Sequence, residues 1–353
     1  RAQPGMSDTS ADAFRASLAP GEIRLEFGAT QAGAGGEPGV ALSKCLVLTP
    51  AVARRLLSRL REASQAAGRI PAVTPQDAVA AMGTTPVNAQ PAPAAGQAAL
   101  LFQLVDALGL RYRHERSFRM SAGALLANRV LLSFDPRKLG ADAPARVLGI
   151  CDGLGLPGAL RAEAERQLAQ ARGVHFGFEG EGGRALYKAY FERRDANAKG
   201  KTPVPLHVAF KWDPEDAGRQ VVTRYHWHPD LSAAQMKARM KKICGDTPVL
   251  EAGTALLGLA ARRVPAEELQ YLEVREDGSD RLSFDLNVYD AGLALRDAQP
   301  LLSKLRQHFA LRAGEYQALY DQVRARPLGH LAGGVHRDGK DFATVYYGVE
   351  ARG

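Results

Sequence analysis

The chain has 353 residues, of which 46% are hydrophobic and 24% charged, and it carries a net charge of +8 at pH 7. This length supports one large domain or two ordinary ones, and the composition is that of a globular protein rather than a disordered or fibrous one. No apolar run approaches the roughly 18 residues a bilayer-crossing helix needs, so no membrane insertion is expected.

Three scattered cysteines, Cys45, Cys151 and Cys244, fit buried thiols in a reducing cytoplasm better than a disulfide framework. The excess positive charge favours anionic ligands. Much of it, however, lies in local runs, with Lys237, Arg239, Lys241 and Lys242 on one helix and Arg193, Arg194, Lys199 and Lys201 around a loop. Such runs read as solvated faces. The loop interleaves no aromatic residue with its charge, so nucleic acid is not an expected partner.

Arg1–Gly5 reads as foreign to the natural chain, with Met6 as its start, and residues 1–20 read as disordered. Glu22–Phe27 and Ala41–Leu48 alternate as strands across a glycine-rich loop. Thr49 then caps a helix with Pro50 at its first position. Residues 1–70 therefore form an extension of two strands and a helix, and 71–97 an Ala/Pro-rich linker.

The domain proper spans 98–353. It opens with a helix, Ala98–Leu110, followed by strands at Arg111–Phe118 and Arg129–Phe134. Helices near Ala143–Cys151 and Gly158–Arg172 come next. A hairpin pairs Val174–Glu179 with Ala185–Phe191, and a second pairs Leu206–Trp212 with Gln220–Trp227. Two helices at 231–244 and 248–263 lead to a hairpin, Leu269–Glu276 with Arg281–Tyr289, turned at Asp277-Gly278. Helices at 296–309 and 313–325 precede the last hairpin, Leu328–Val335 with Phe342–Val349, turned at Asp338-Gly339. Five antiparallel hairpins with helix pairs between most of them predict an α+β fold: a ten-stranded antiparallel β-barrel ringed by helices.

Alternation puts residues i and i+2 on one strand face. Lys188 and Tyr190 share a face, as do Arg224 and His226, while Tyr225 and Trp227 take the other. Ser283, Asp285, Asn287 and Tyr289 form a polar face opposite Leu282, Phe284, Leu286 and Val288. Thr344 and Tyr346 oppose Val345, Tyr347 and Val349. The apolar faces suit the helices, so the polar faces should line the lumen.

Here the chain resembles a known family. Five helix-flanked hairpins closing a ten-stranded barrel are similar to the ABBA prenyltransferases, the PT-barrel enzymes that include aromatic, indole and cyanobactin-like peptide prenyltransferases. The resemblance covers about 98–353. Its local carriers are the Lys-x-Tyr strand, Lys188-Ala189-Tyr190, and the ending Asp338-Gly-Lys-Asp-Phe-Ala-Thr-Val-Tyr-Tyr347. It implies transfer of an isoprenoid from an allylic diphosphate to an aromatic or peptide acceptor, with no obligatory cofactor and Mg2+ as an optional aid.

On that resemblance Lys188 and Arg224 hold the diphosphate, with Arg111 or Arg113 adding a contact. Tyr190, Tyr289 and Tyr346 shield the allylic cation, and Asp135, Asp285 and His226 are the candidate bases. The chain departs from the fungal enzymes in lacking a second strand with a dense Arg-x-Lys-x-Tyr pattern, where Val222-Thr-Arg224-Tyr-His226 stands instead. The alternative is a non-catalytic barrel serving as a binding or scaffold subunit. Three or more cations converging inside the barrel favour the enzyme.

Two other motifs are weaker. Gly153-Leu-Gly155-Leu-Pro-Gly158 has dinucleotide-motif spacing but follows a helix, so it reads as an interhelical turn. His226-Trp-His228 could offer two metal ligands with His207 as a third, yet a structural or substrate-contacting role is the stronger reading.

Overall fold

The computed structural model describes three strands at 13–19, 22–32 and 38–48, and residues 93–352 apart from 182–183, 194–202 and 337. The chain divides into two compact units, residues 1–73 and 74–353. The helix expected after Thr49, most of the linker expected at 71–97 and the basic loop beyond Arg193 lie outside the described residues.

In the first unit β1 (Ala13–Ala19), β2 (Glu22–Ala32) and β3 (Pro38–Leu48) form an antiparallel sheet. β1 corrects the expectation of disorder up to residue 20. Phe14, Ala16 and Leu18 alternate with Arg15 and Ser17, and the strand pairs in register with β2, from Ala13 opposite Gly28 to Ala19 opposite Glu22.

The second unit is the barrel. Its walls are β4 (Tyr112–Ser121), β6 (Arg129–Phe134), β7 (Gly173–Glu181), β8 (Arg184–Glu192), β9 (Val204–Asp213), β10 (Asp216–Trp227), β11 (Gln270–Glu276), β12 (Leu282–Asn287), β13 (Leu328–Val335) and β14 (Asp341–Arg352). Each pairs antiparallel with its neighbour, and β14 returns to pair with β4. The cylinder is therefore closed and has ten strands. A short strand, β5 (Ala124–Leu126), folds back on β4 outside the ring.

Among the described residues seven α-helices accompany it: α1 (Pro93–Asp106), α2 (Ala143–Gly153), α3 (Gly158–Leu168), α4 (Ala233–Cys244), α5 (Pro248–Ala261), α6 (Gln299–His308) and α7 (Ala313–Val323). Two of them, α4 and α5, start where a side chain satisfies free backbone N–H groups of the first turn. Ser232 and Gln235 form a capping box at α4, and Thr247 caps α5 with Pro248 in its first turn. The turn between α2 and α3 is the glycine motif. Gly155 there adopts φ +71, and Trp212 of β9 donates its indole N–H to Leu154 O at 2.9 Å. The motif docks a helix turn onto the barrel.

Two apolar clusters hold helices to the outer wall. Val130, Phe176, Tyr187, Phe191, Phe210 and Trp212 pack with α1, α2 and α3. Phe284, Leu286, Leu331 and Val345 pack with α4 to α7. Fully burying each such side chain contributes roughly 1.5–3 kcal/mol. With one strand face spent on the helices, the alternate residues must face inward.

Candidate active site

The strand register fixes what lines the lumen. Glu115 and Ser117 on β4, Arg129 on β6, and His175 and Glu179 on β7 alternate with outward core residues. Lys188 and Tyr190 follow on β8, then His207 and Lys211 on β9. Tyr225 lies opposite His207 on β10. Asp285, His330 and Tyr346 complete the wall on β12, β13 and β14.

Three cations converge on one carboxylate. Arg129 and Lys188 both make short ion pairs with Glu179, and Lys211 Nζ lies 2.6 Å from the other carboxylate oxygen. Arg129 Nε also donates to Ser117 Oγ at 3.2 Å. Burial alone would raise the Glu179 carboxyl; Arg129, Lys188 and Lys211 together outweigh it and hold the group well below its ordinary range. Burial dominates at Lys188, against the pull of Glu179, and lowers its ammonium to about 7. Lys211 is lowered by burial in the same way. Three cations against one anion leave the cluster with surplus positive charge inside the barrel.

Tyrosines border this cluster. Tyr190 and Tyr225 lie 5.7 Å apart between ring centroids, and Tyr346 lies beside Arg129 in the same pocket as Tyr190 and Lys188. Burial raises all three phenols, so they stay neutral and present intact rings and O–H donors.

An acid–base network occupies the facing wall. Tyr289 donates to Glu115 Oε1 at 2.5 Å, and His330 Nε2 stands 3.8 Å from the same oxygen. His330 Nδ1 is 3.0 Å from Asp285 Oδ1. Burial opposes charge on His330, but Asp285 and Glu115 outweigh it and the imidazolium persists up to about 9. Burial raises Glu115, making it a stronger base than a surface carboxylate. Tyr346 lies 5.3 Å from the His330 ring and so borders both the cationic cluster and this network.

Tyr289 reaches the lumen from a 3-10 turn (Tyr289–Ala291), not from the strand face expected of it. Its ring lies over Gly329 of β13, where any Cβ would collide with it. Gly329→Ala is therefore expected to displace the ring and match Tyr289→Phe in its loss of turnover. Equal activity of Gly329→Ala and the natural chain in a kcat comparison would refute this positioning.

Several expected site residues are elsewhere. Arg224 lies opposite Val208, on the outward face, and pairs with Asp277 at 2.8 Å among solvent-exposed groups. The register that brings Tyr225 inward necessarily turns Arg224 out. His226 lies opposite Glu273 on that same outer side, beyond a register shift after Tyr225, so it is no lumen base. Asp135 caps a 3-10 turn and is held by Arg137 at 2.6–3.0 Å. Arg111 is exposed ahead of β4. Arg113 has the lumen-facing alternation but sits exposed at the barrel mouth, opposite Ser133. His228 is buried against Arg239 and Glu273, which separates it from His207 and removes that metal trio. Lys188, Tyr190, Tyr346, Asp285 and Tyr289 do come together. Glu115, Arg129, Glu179, Lys211, Tyr225 and His330 were not anticipated.

This architecture has counterparts among solved structures. It superposes on 5-dimethylallyltryptophan synthase from Streptomyces coelicolor with a TM-score of 0.54 at 14% identity, covering 78% of this chain and 98% of that one. The NotF prenyltransferase matches with a TM-score of 0.50 at 13% identity, covering 78% of this chain and 99% of that one. The fold is the PT barrel. No protein-family model and no curated protein matches the sequence. At such identities the PT barrel likeness speaks for architecture, and the chemistry must be argued from the lumen.

Proposed function

We propose that this PT barrel transfers an isoprenoid from an allylic diphosphate to an aromatic acceptor. The observation that carries the reading is the convergence of Arg129, Lys188 and Lys211 inside a closed barrel, beside three tyrosines, with Glu115 on the strand next to that of Arg129. It meets the criterion set against a non-catalytic scaffold. The activities of the two PT-barrel neighbours, dimethylallyltryptophan synthesis and prenyl transfer, support the same reading.

The steps follow from charge. The diphosphate oxygens bind Arg129, Lys188 and Lys211. When the allylic C–O bond breaks, its electron pair leaves with the diphosphate, and these fixed donors stabilise the charge that develops. The allylic cation lies against the faces of Tyr190, Tyr225 and Tyr346, each contributing roughly 0.5–2 kcal/mol by cation–π attraction and excluding water. The acceptor ring attacks the cation, and Glu115 takes the proton that restores aromaticity. Tyr289 and the His330 imidazolium hold that carboxylate in place.

The scheme meets the diphosphate charge with side-chain cations and calls on no Mg2+ ligand from the cluster. The one carboxylate in the cationic cluster, Glu179, is already engaged by three side-chain cations, so it is not a free oxygen ligand. An indole or phenol suits the aromatic lining; a peptide side chain bearing such a ring would need an open barrel mouth. Buried Cys151 and Cys244 are consistent with a reducing cytoplasm as the site of action.

The test is mass spectrometry after incubation with several allylic diphosphates and a panel of indoles, phenols and aromatic peptides. An adduct with the mass of the prenyl group is expected, and its absence across the panel would count against the reading. A pH series adds a second check. Lys188 titrates near 7 and binds anions only when protonated, so affinity for inorganic diphosphate should fall between about pH 6 and about pH 8. Calorimetry showing a flat affinity across that interval would remove Lys188 from the anion site.

A further inference from the structure

The lumen holds a second cluster that the transfer chemistry does not use. His175 on β7, Glu192 on β8 and His207 on β9 occupy three consecutive strands, with Glu192 directly opposite His207 and His175 two residues along β7 from the residue opposite Glu192. Each offers one ligand atom, and these atoms all lie within 4.8 Å of one another. His175 Nε2 is 3.3 Å from Glu192 Oε2. Two donors bound at about 2.1 Å to one tetrahedral ion stand about 3.4 Å apart, so this edge is already at ligand spacing.

The supporting contacts are those of a metal site. His175 Nδ1 lies 2.7 Å from Ser133 Oγ, which orients the ring so that Nε2 faces Glu192. Gly173, opposite Glu192 in the ladder, makes room for the carboxylate: a Cβ there would stand 2.6 Å from Glu192 Oε2. The two imidazoles meet edge to face at 5.4 Å. Tyr190 lies 6.2 Å from His175, and Tyr225 lies 5.6 Å from His207. Aromatic walls thus limit solvent at the site while three ligands leave a coordination position open.

The geometry points to a binding site for one divalent transition-metal ion of the Zn2+ or Co2+ class, held by His175, Glu192 and His207. Two imidazoles and one carboxylate select such ions over Mg2+ or Ca2+, which prefer all-oxygen shells. The open position faces the lumen next to Tyr190, where water or an oxygen of a bound substrate would complete the shell.

The test uses the full chain, stripped with a chelator and titrated with Co2+, with Zn2+ stoichiometry read by elemental analysis. One equivalent should bind and give the visible absorption of low-symmetry Co2+. His207→Ala and Glu192→Gln should each weaken binding about tenfold or more, and Ser133→Ala by about 10–100-fold. No saturable binding, or binding unchanged in all three variants, overturns the assignment. X-ray absorption of the Zn2+-loaded natural chain covers the case of variants that fail to fold: two imidazole ligands are expected, and one or none overturns it. No prenyl-transfer assay enters, so this result and the proposed function stand or fall separately.

Discussion

Replacing Lys188 with alanine is expected to lower kcat/KM for prenyl transfer by about 10²–10³-fold, the range for losing one fixed donor to a developing oxyanion. The fold should survive. Burial pulls Lys188 down to about 7, so its charged form opposes folding rather than supporting it. Arg129 and Lys211 would still compensate Glu179 after the substitution. Thermal stability is therefore expected to hold or rise while turnover drops. Steady-state kinetics with a saturating acceptor, beside a melting curve, separates the two effects. Undiminished kcat/KM would remove Lys188 from the mechanism.

Glu179→Gln should act the other way round, with its main effect on stability. It leaves Arg129, Lys188 and Lys211 crowded in the lumen without their shared counter-charge. Removing one partner from a buried ion cluster costs about 3–5 kcal/mol, because the remaining charges stay desolvated and now repel. Inorganic diphosphate should restore much of that loss, since an anion that binds only the folded state stabilises it by mass action. Urea denaturation with and without diphosphate measures both. A variant as stable as the natural chain, or one indifferent to diphosphate, would show that the three cations do not form a single anion site. On the proposed function, a substrate diphosphate would have to take over the cations that Glu179 now engages.

The barrel was legible because its punctuation is local. Asp277-Gly278 and Asp338-Gly339 close hairpins, with both glycines at positive φ (71 and 76), and the strands on either side alternate cleanly. β12 could be assigned a polar and an apolar face from sequence, and both point as expected. β10 could not. Arg224 and His226 on one face and Tyr225 and Trp227 on the other give no apolar side to send toward the helices. Only the pairing of Tyr225 with His207 decides the matter.

The missed site residues share a different cause. Arg129 and Lys211 read as ordinary strand charges, and Glu115 sits within a run, Arg113-His-Glu-Arg116, that is polar on both faces. A charge neutralised across the inside of a cylinder looks in sequence like a charge in water. Arg129 and Glu179 are distant in the chain but opposite each other on β6 and β7. His175, Glu192 and His207 stand on three different strands, and nothing local in the sequence shows that they meet.

The seam of the cylinder joins β14 to β4, so the earliest and latest staves of the barrel are neighbours. Until β14 and β4 pair, each of them is a raw sheet edge able to recruit another copy. Contacts between segments so far apart in the chain make assembly slow. Truncations that trim β14 should therefore yield aggregates rather than a smaller barrel.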